Sequence, residues 1–164
     1  MPSQIVNDCA KLIRERNLTI AFAESATAGR IASEFSLTPE SGQILKGGLI
    51  CYDASIKENI LGISADYIEK YTPESAEVTK LMAEKLKDFI ESDIQVSVTG
   101  LTTSGGSETE QKPVGTIFIH ILIRDSSIAV HKVLQGSAEE IVIQAVDLAS
   151  LTIFNELNTL NLMA

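Results

Sequence analysis

The sequence predicts an α/β protein: a three-layer α/β/α sandwich around a mixed, mostly parallel sheet. Three observations lead there. Helix-like and strand-like apolar patterns alternate through the first half of the chain, the arrangement that builds parallel strands with helices on both faces. Two strand patterns then adjoin with only a short polar turn between them, which adds an antiparallel hairpin. Finally, 45% of the residues are hydrophobic, and their recurrent Ile, Leu and Val runs give a chain of this length a core to bury.

Taken in order, residues 4–16 place Ile5, Val6, Cys9, Leu12 and Ile13 at helical spacing behind Ser3, a good N-cap type. LTIAFA, 18–23, reads as a short buried strand, and 26–36 returns to helix. GGLICY, 47–52, is a second strand. Two short helices follow at 55–61 and 64–70, then a longer one at 74–91 with Val78, Met82, Leu86 and Phe89 on one side. DIQVSVT, 93–99, is the third strand. Residues 101–112, LTTSGGSETEQK, are polar and aperiodic and read as a loop. Strands at 114–124 and 127–134 flank a turn at Asp125-Ser126. Ser137 and Glu140 form a capping box that opens a last helix, from about 138 to 160.

Composition removes several function classes. The 164 residues form a single domain, 1–164, with no repeat and no linker. Thirteen Lys and Arg against 22 Asp and Glu leave a net charge of −9. No basic stripe exists to neutralise phosphates, so nucleic acid is not an expected partner, nor is an anionic membrane surface. No apolar run reaches a membrane span, and the first residues carry charges where a signal peptide is apolar. Two cysteines, Cys9 and Cys51, make neither a metal cage nor a disulfide scaffold. The expected location is the cytoplasm.

Open α/β sheets bind ligands beyond the carboxyl ends of their strands, and three such ends carry chemistry. At Glu24-Ser25-Ala26-Thr27-Ala28-Gly29 a strand gives way to small residues and a helix start. Ser25 there is either a nucleophile facing free helix N–H groups or, with Thr27, an ordinary helix cap. At the second end, Tyr52 closes a strand and Lys57 opens a helix. A lysine desolvated beside a serine can act as its base, whereas most lysines are solvated surface groups. Tyr52 has the equally plain reading of a half-buried strand-end residue. The third end is Thr99-Gly100 with the Gly105-Gly106 loop, an anion cradle or a flexible turn.

The blocks AESATAGR, GGLICYDASIKENILGI, the Ser75 region, SVTG and KPVGT occur in an order and at distances that resemble the C-terminal domain of the competence/damage-inducible protein CinA, the nicotinamide-nucleotide amidase family. The resemblance covers about residues 5–160. It implies hydrolysis of the carboxamide of nicotinamide mononucleotide, with no metal or organic cofactor. It places a serine nucleophile at Ser25, a lysine base at Lys57 and a supporting tyrosine at Tyr52. Ala26, Thr27, Ala28, Gly29, Thr99, Gly100, Gly105 and Gly106 become the expected substrate-binding positions, with amides around 26–29 holding the oxyanion. The small-molecule nucleotide would be the principal partner, and the family resemblance also implies a homo-oligomer.

The chain departs from the family pattern at several points. The usual A-E-S-C-T-G-G has Ala26 for Cys and Ala28 for the first Gly. In the third-strand loop, Thr103-Ser104 replaces a Gly-Pro, and 107–112 runs about one residue long. Two arginines common near the start of the last helix are absent, at Ala138 and Val142. A bound phosphate would lose a bidentate partner, which implies a raised KM and weak turnover.

Two further features stand apart from these blocks. A two-residue turn at Asp125-Ser126 would set His120 opposite His131 across the hairpin, a pair with no third ligand at metal spacing. The last helix is apolar nearly all round, which predicts burial on more than one side, partly by another subunit.

Overall fold

In the computed structural model, which describes residues 1–162, five strands form one sheet in the order β2-β1-β3-β4-β5. They are β1 (Ile20–Glu24), β2 (Leu45–Ile50), β3 (Ile94–Gly100), β4 (Thr116–Ile123) and β5 (Ser126–Val133). β1 pairs in parallel with β2 and β3, while β3–β4 and β4–β5 are antiparallel. Four strands therefore run one way and only β4 is reversed, so the sheet is mixed as expected. The carboxyl ends of β1, β2 and β3 all meet at one edge.

Two helical layers cover the sheet. On one face lie α1 (Gln4–Glu15), α2 (Arg30–Ser36), the single turn α3 (Ser41–Ile44) and α7 (Ala138–Leu162). On the other lie α4 (Ala54–Asn59), α5 (Ala65–Tyr71) and α6 (Ala76–Phe89). The larger core joins Val6, Ile13, Phe22, Val96, Ile119 and Ile153, among others. The smaller one gathers Ala23, Cys51, Leu61, Ile63, Val78 and Met82.

β3 shows how period-two alternation divides the layers. Ile94, Val96 and Val98 face the larger core. Its alternate residues are polar yet buried, and each finds a partner. Ser97 Oγ donates to the Thr79 carbonyl at 2.5 Å, and the hydroxyls of Thr79 and Thr99 lie 2.8 Å apart. These bonds fix α6 against the sheet at the end where the ligand cleft opens.

Most boundaries follow local signals. Ser3, Ser64 and Ser75 accept N-cap bonds from Val6, Tyr67 and Val78. At α7 the Ser137 amide donates to Glu140 Oε2 at 2.7 Å, and the Glu140 amide to Ser137 Oγ at 3.3 Å, the reciprocal bonds of a capping box. α3 lies outside the sequence expectations, because four residues give no periodicity to detect. Along α7 one stripe is buried through Ile141, Ala145, Ala149, Ile153 and Leu157, while Ile143 and Leu151 remain exposed. No described helix is long and apolar enough to cross a membrane.

The hairpin corrects one expectation. Arg124, not Asp125, opens the turn, at φ +53°, so that Ile123 pairs with Ser126. The register moves accordingly, and His120 faces Ala129 while His131 faces Phe118. The expected His120–His131 pair does not form. His131 stacks on Phe118 with ring centroids 4.6 Å apart, and His120 Nε2 lies 2.9 Å from Ser127 Oγ. A turn that begins on a left-handed residue matches the strands' twist, and that geometry prevails over the preference for Asp-Ser.

Gly115 ties the hairpin to the cleft loop. It has φ +95°, its amide donates to the Leu101 carbonyl at 2.7 Å, and its carbonyl accepts from the Leu134 amide at 2.8 Å. A Cβ there would run into the Leu134 carbonyl oxygen. Gly115→Ala should therefore lower stability by about 2 kcal/mol or more, read as a drop in midpoint during chemical denaturation.

Candidate active site

The strand end after β1 is built around a buried carboxylate. Glu24 closes an otherwise apolar strand and is 1% exposed. Its Oε2 accepts from Thr27 Oγ1 at 2.6 Å, the Gly29 amide at 3.0 Å and the Ile31 amide at 3.1 Å. Its Oε1 accepts from the Ala32 amide at 2.8 Å. Three orphan N–H groups at the start of α2 thus find a partner outside the helix. The turn between them places Ala28 at φ +47° and Gly29 at φ +94°. Ala28 holds the left-handed conformation that glycine holds more cheaply.

Ser25 is pinned by that turn. Its amide donates to the Val98 carbonyl at 2.9 Å, and its carbonyl accepts from the Ala28 amide at 3.0 Å. The Gly29 and Ala28 amides are thereby occupied. Those of Ala26 and Thr27 donate to no acceptor among the described residues, and Ala26 lines the cleft with Ser25.

Lys57 reaches Ser25 from beneath. α4 starts at Asp53, whose carboxylate accepts from the Ser55 amide at 2.8 Å. The helix turns Lys57 inward until it is 1% exposed. Its Nζ lies 3.1 Å from Ser25 Oγ and 2.7 Å from the Cys51 carbonyl oxygen. Burial holds the ammonium below the usual lysine range, and the charge of Glu74 partly raises it again. Nζ donates to both oxygens, and burial shifts the balance toward the neutral amine relative to a solvated lysine.

Above the pair opens a cleft of about 220 Å³. Ser25, Ala26, Tyr52, Gly100 and Gly106 line it, and Glu74 is its one charged lining residue. Tyr52 sits on the rim, 63% exposed. The other expected substrate positions lie outside this lining. Thr27 and Gly29 are bound to Glu24, Thr99 is turned to Thr79, and Gly105 is engaged by Glu108. Ala138 and Val142 do not line the cleft either.

Sequence reasoning missed Glu24, Glu74 and Glu108. A signal existed for Glu24 alone, as a charged residue ending an apolar strand just before a helix start. Lys112 lies 3.8 Å from Glu74 Oε2 and donates to Thr72 Oγ1 at 3.0 Å. Among the described residues, no group of three or more His, Cys, Asp and Glu is placed to hold a metal ion.

Glu24→Gln tests the turn. The amide nitrogen cannot accept, so at least one buried N–H loses its partner, at about 1–3 kcal/mol each. The expected outcome is a lowered thermal midpoint, with faster hydrogen exchange at 29–32 than in β3.

The comparisons with known proteins agree with this architecture. The family model described as the CinA C-terminal domain matches residues 2–157. A CinA-like protein of Petrotoga mobilis is 37% identical over 131 residues, covering 79% of this chain and 32% of that protein. A CinA-like protein of Leptospira borgpetersenii is 35% identical over 128 residues, covering 78% and 30%. The chain thus spans about a third of the length of these relatives. Among solved structures, a CinA superfamily protein from Klebsiella pneumoniae superposes with a TM-score of 0.89 at 20% identity, covering 95% of this chain and 97% of that one. A competence/damage-inducible protein from Agrobacterium tumefaciens gives 0.86 at 22%, covering 96% and 98%. Sequence match and fold agree: the chain belongs to the CinA C-terminal domain family.

Proposed function

We propose that the chain is a Ser–Lys amidohydrolase that converts the carboxamide of nicotinamide mononucleotide, or a close relative, to the acid and ammonia. The observation that carries this reading is the buried contact between Lys57 Nζ and Ser25 Oγ, 3.1 Å, under an open cleft. The likeness of the Ser25, Tyr52 and Lys57 blocks to the amidase family supplies the substrate.

An amide has a weak electrophilic carbon and a poor leaving group, so it needs an activated hydroxyl, oxyanion donors and a proton for the departing nitrogen. In this reading Ser25 Oγ attacks the carboxamide carbon while its proton passes to Lys57 Nζ. The Ala26 and Thr27 amides hold the oxyanion. Lys57 then returns the proton to the nitrogen, ammonia leaves, and an acyl ester remains on Ser25. Water, deprotonated by the same lysine, cleaves that ester and frees the acid. Tyr52 flanks the ring of the substrate at the rim.

A second reading keeps the cleft and gives up turnover: a degenerate member that binds a nucleotide or a protein partner. The carboxylate in the cleft favours it. Ammonia release from nicotinamide mononucleotide or its dephosphorylated nucleoside by the purified chain decides between them. Ser25→Ala should reduce that release by roughly 10³-fold or more, and Lys57→Arg should match it, since a guanidinium cannot accept the proton. Full turnover by either variant would end the covalent scheme.

The pH dependence has a definite sign. Only neutral Lys57 accepts a proton, so kcat/KM should rise with pH along a limb whose midpoint lies below the ordinary lysine value of about 10.4. Glu74 holds that midpoint up, so Glu74→Gln should move the limb to lower pH. In the window between the native and the ordinary value the unfolded chain binds more protons, and stability should also rise with pH.

A homo-oligomer belongs to the same reading. Ile143 and Leu151 on α7 are 40% and 45% exposed, and a second subunit would cover them. Light scattering at micromolar concentration should give a mass above 17.7 kDa; a monomer would refute the assembly.

A further inference from the structure

In the segment between β3 and β4, two backbone amides, one hydroxyl and one lysine suited to receive an anion are already taken by the chain's own acceptors. The Gly105 amide donates to Glu108 Oε1 at 2.7 Å and the Gly106 amide to Glu108 Oε2 at 2.8 Å. Ser107 Oγ donates to Glu74 Oε2 at 2.6 Å. Lys112 Nζ donates to Thr72 Oγ1 at 3.0 Å and to the Glu74 carbonyl at 3.2 Å, with Glu74 Oε2 at 3.8 Å. Successive backbone amides that converge in this way make a small concave anion site. Here a carboxylate of the same loop fills it with both oxygens. The two amide bonds also hold the Glu108 carboxyl below its usual range, so it stays ionised near neutrality.

We propose that Glu108 is a specificity-determining residue: by filling the Gly105–Gly106 amide site with its own carboxylate, it turns the cleft toward amides that carry no phosphate. This rests on the amidase reading of the same cleft and names the substrate class within it. A phosphate monoester entering here would have to displace one carboxylate and lie near a second, Glu74. It would find no uncommitted cation in compensation, because Lys112 is held by Glu74 and Lys57 is engaged with Ser25 and Cys51. The net charge of −9 adds repulsion at longer range. A nicotinamide nucleoside without the phosphate presents only a cationic ring and neutral hydroxyls.

Calorimetric titration of the full chain tests this independently of turnover, with inorganic phosphate, nicotinamide mononucleotide and its dephosphorylated nucleoside as probes. Wild type should bind the nucleoside roughly tenfold or more tighter than the mononucleotide, the scale of one charge-assisted hydrogen bond. Inorganic phosphate should bind wild type far more weakly than the variants. Glu108→Gln and Glu108→Ala should shrink or reverse the nucleoside preference by a similar factor. Glu108 is exposed, so both variants should fold, and an unchanged thermal midpoint checks it. Equal affinities, a preference for the mononucleotide, no binding of either, or a preference unchanged in both variants would overturn the proposal. Ammonia release is measured on the same samples. If the binding preference holds but neither compound is hydrolysed, the amidase reading fails and the role of Glu108 in selecting the ligand stands.

Discussion

The geometry at the carboxyl edge of the sheet depends on the Glu24 carboxylate. A buried anion is costly, several kcal/mol after relaxation, and it persists only where donors surround it. Glu24 has four, three of them backbone amides. Those bonds bend the chain sharply enough to put Ala28 and Gly29 at positive φ, and the Ala26 and Thr27 amides in the bend have no acceptor among the described residues. The orientation of Ser25 and the start of α2 thus depend on one side chain. That side chain never lines the cleft.

Lys57 follows an opposite logic. It has no carboxylate in contact, only the Cys51 carbonyl and the Ser25 hydroxyl. Desolvation therefore dominates its protonation, and Glu74 opposes it from a distance. Had a carboxylate stood against Nζ, the pair would have been a structural salt bridge and the lysine a permanent cation. On the proposed reading, what separates a base from a strut is which neighbour is absent.

The sheet and six of the seven helices were legible in the sequence because each rests on a local signal: apolar period, serine cap, or the Ser137–Glu140 box. The Ser25–Lys57 pairing became legible only through resemblance, since spacing alone leaves a cap and a surface lysine as good readings of the same residues. Glu24, Glu74 and Glu108 stayed hidden for two reasons. Glu24 and Glu108 bind donors close by in sequence, through turns that carry no apolar period, whereas the fold brings Ser107 and Lys112 to Glu74 from far along the chain. The His120–His131 error shows how sharp that limit is. A turn displaced by one residue leaves both strands in place and changes every partner across them.

The excursion from Leu101 to Gly115 leaves and re-enters the sheet at the same edge, clasped at its base by Leu101 to Thr116 and Gly115 to Leu101. Its middle contributes no side chain to either core beyond that clasp. Residues there can be exchanged, inserted or deleted with little effect on the cooperative unit that folds, because loop closure grows slowly with length. On the proposed role of Glu108, selectivity lies in the middle of this excursion and foldability in its clasp, so the first can change without endangering the second.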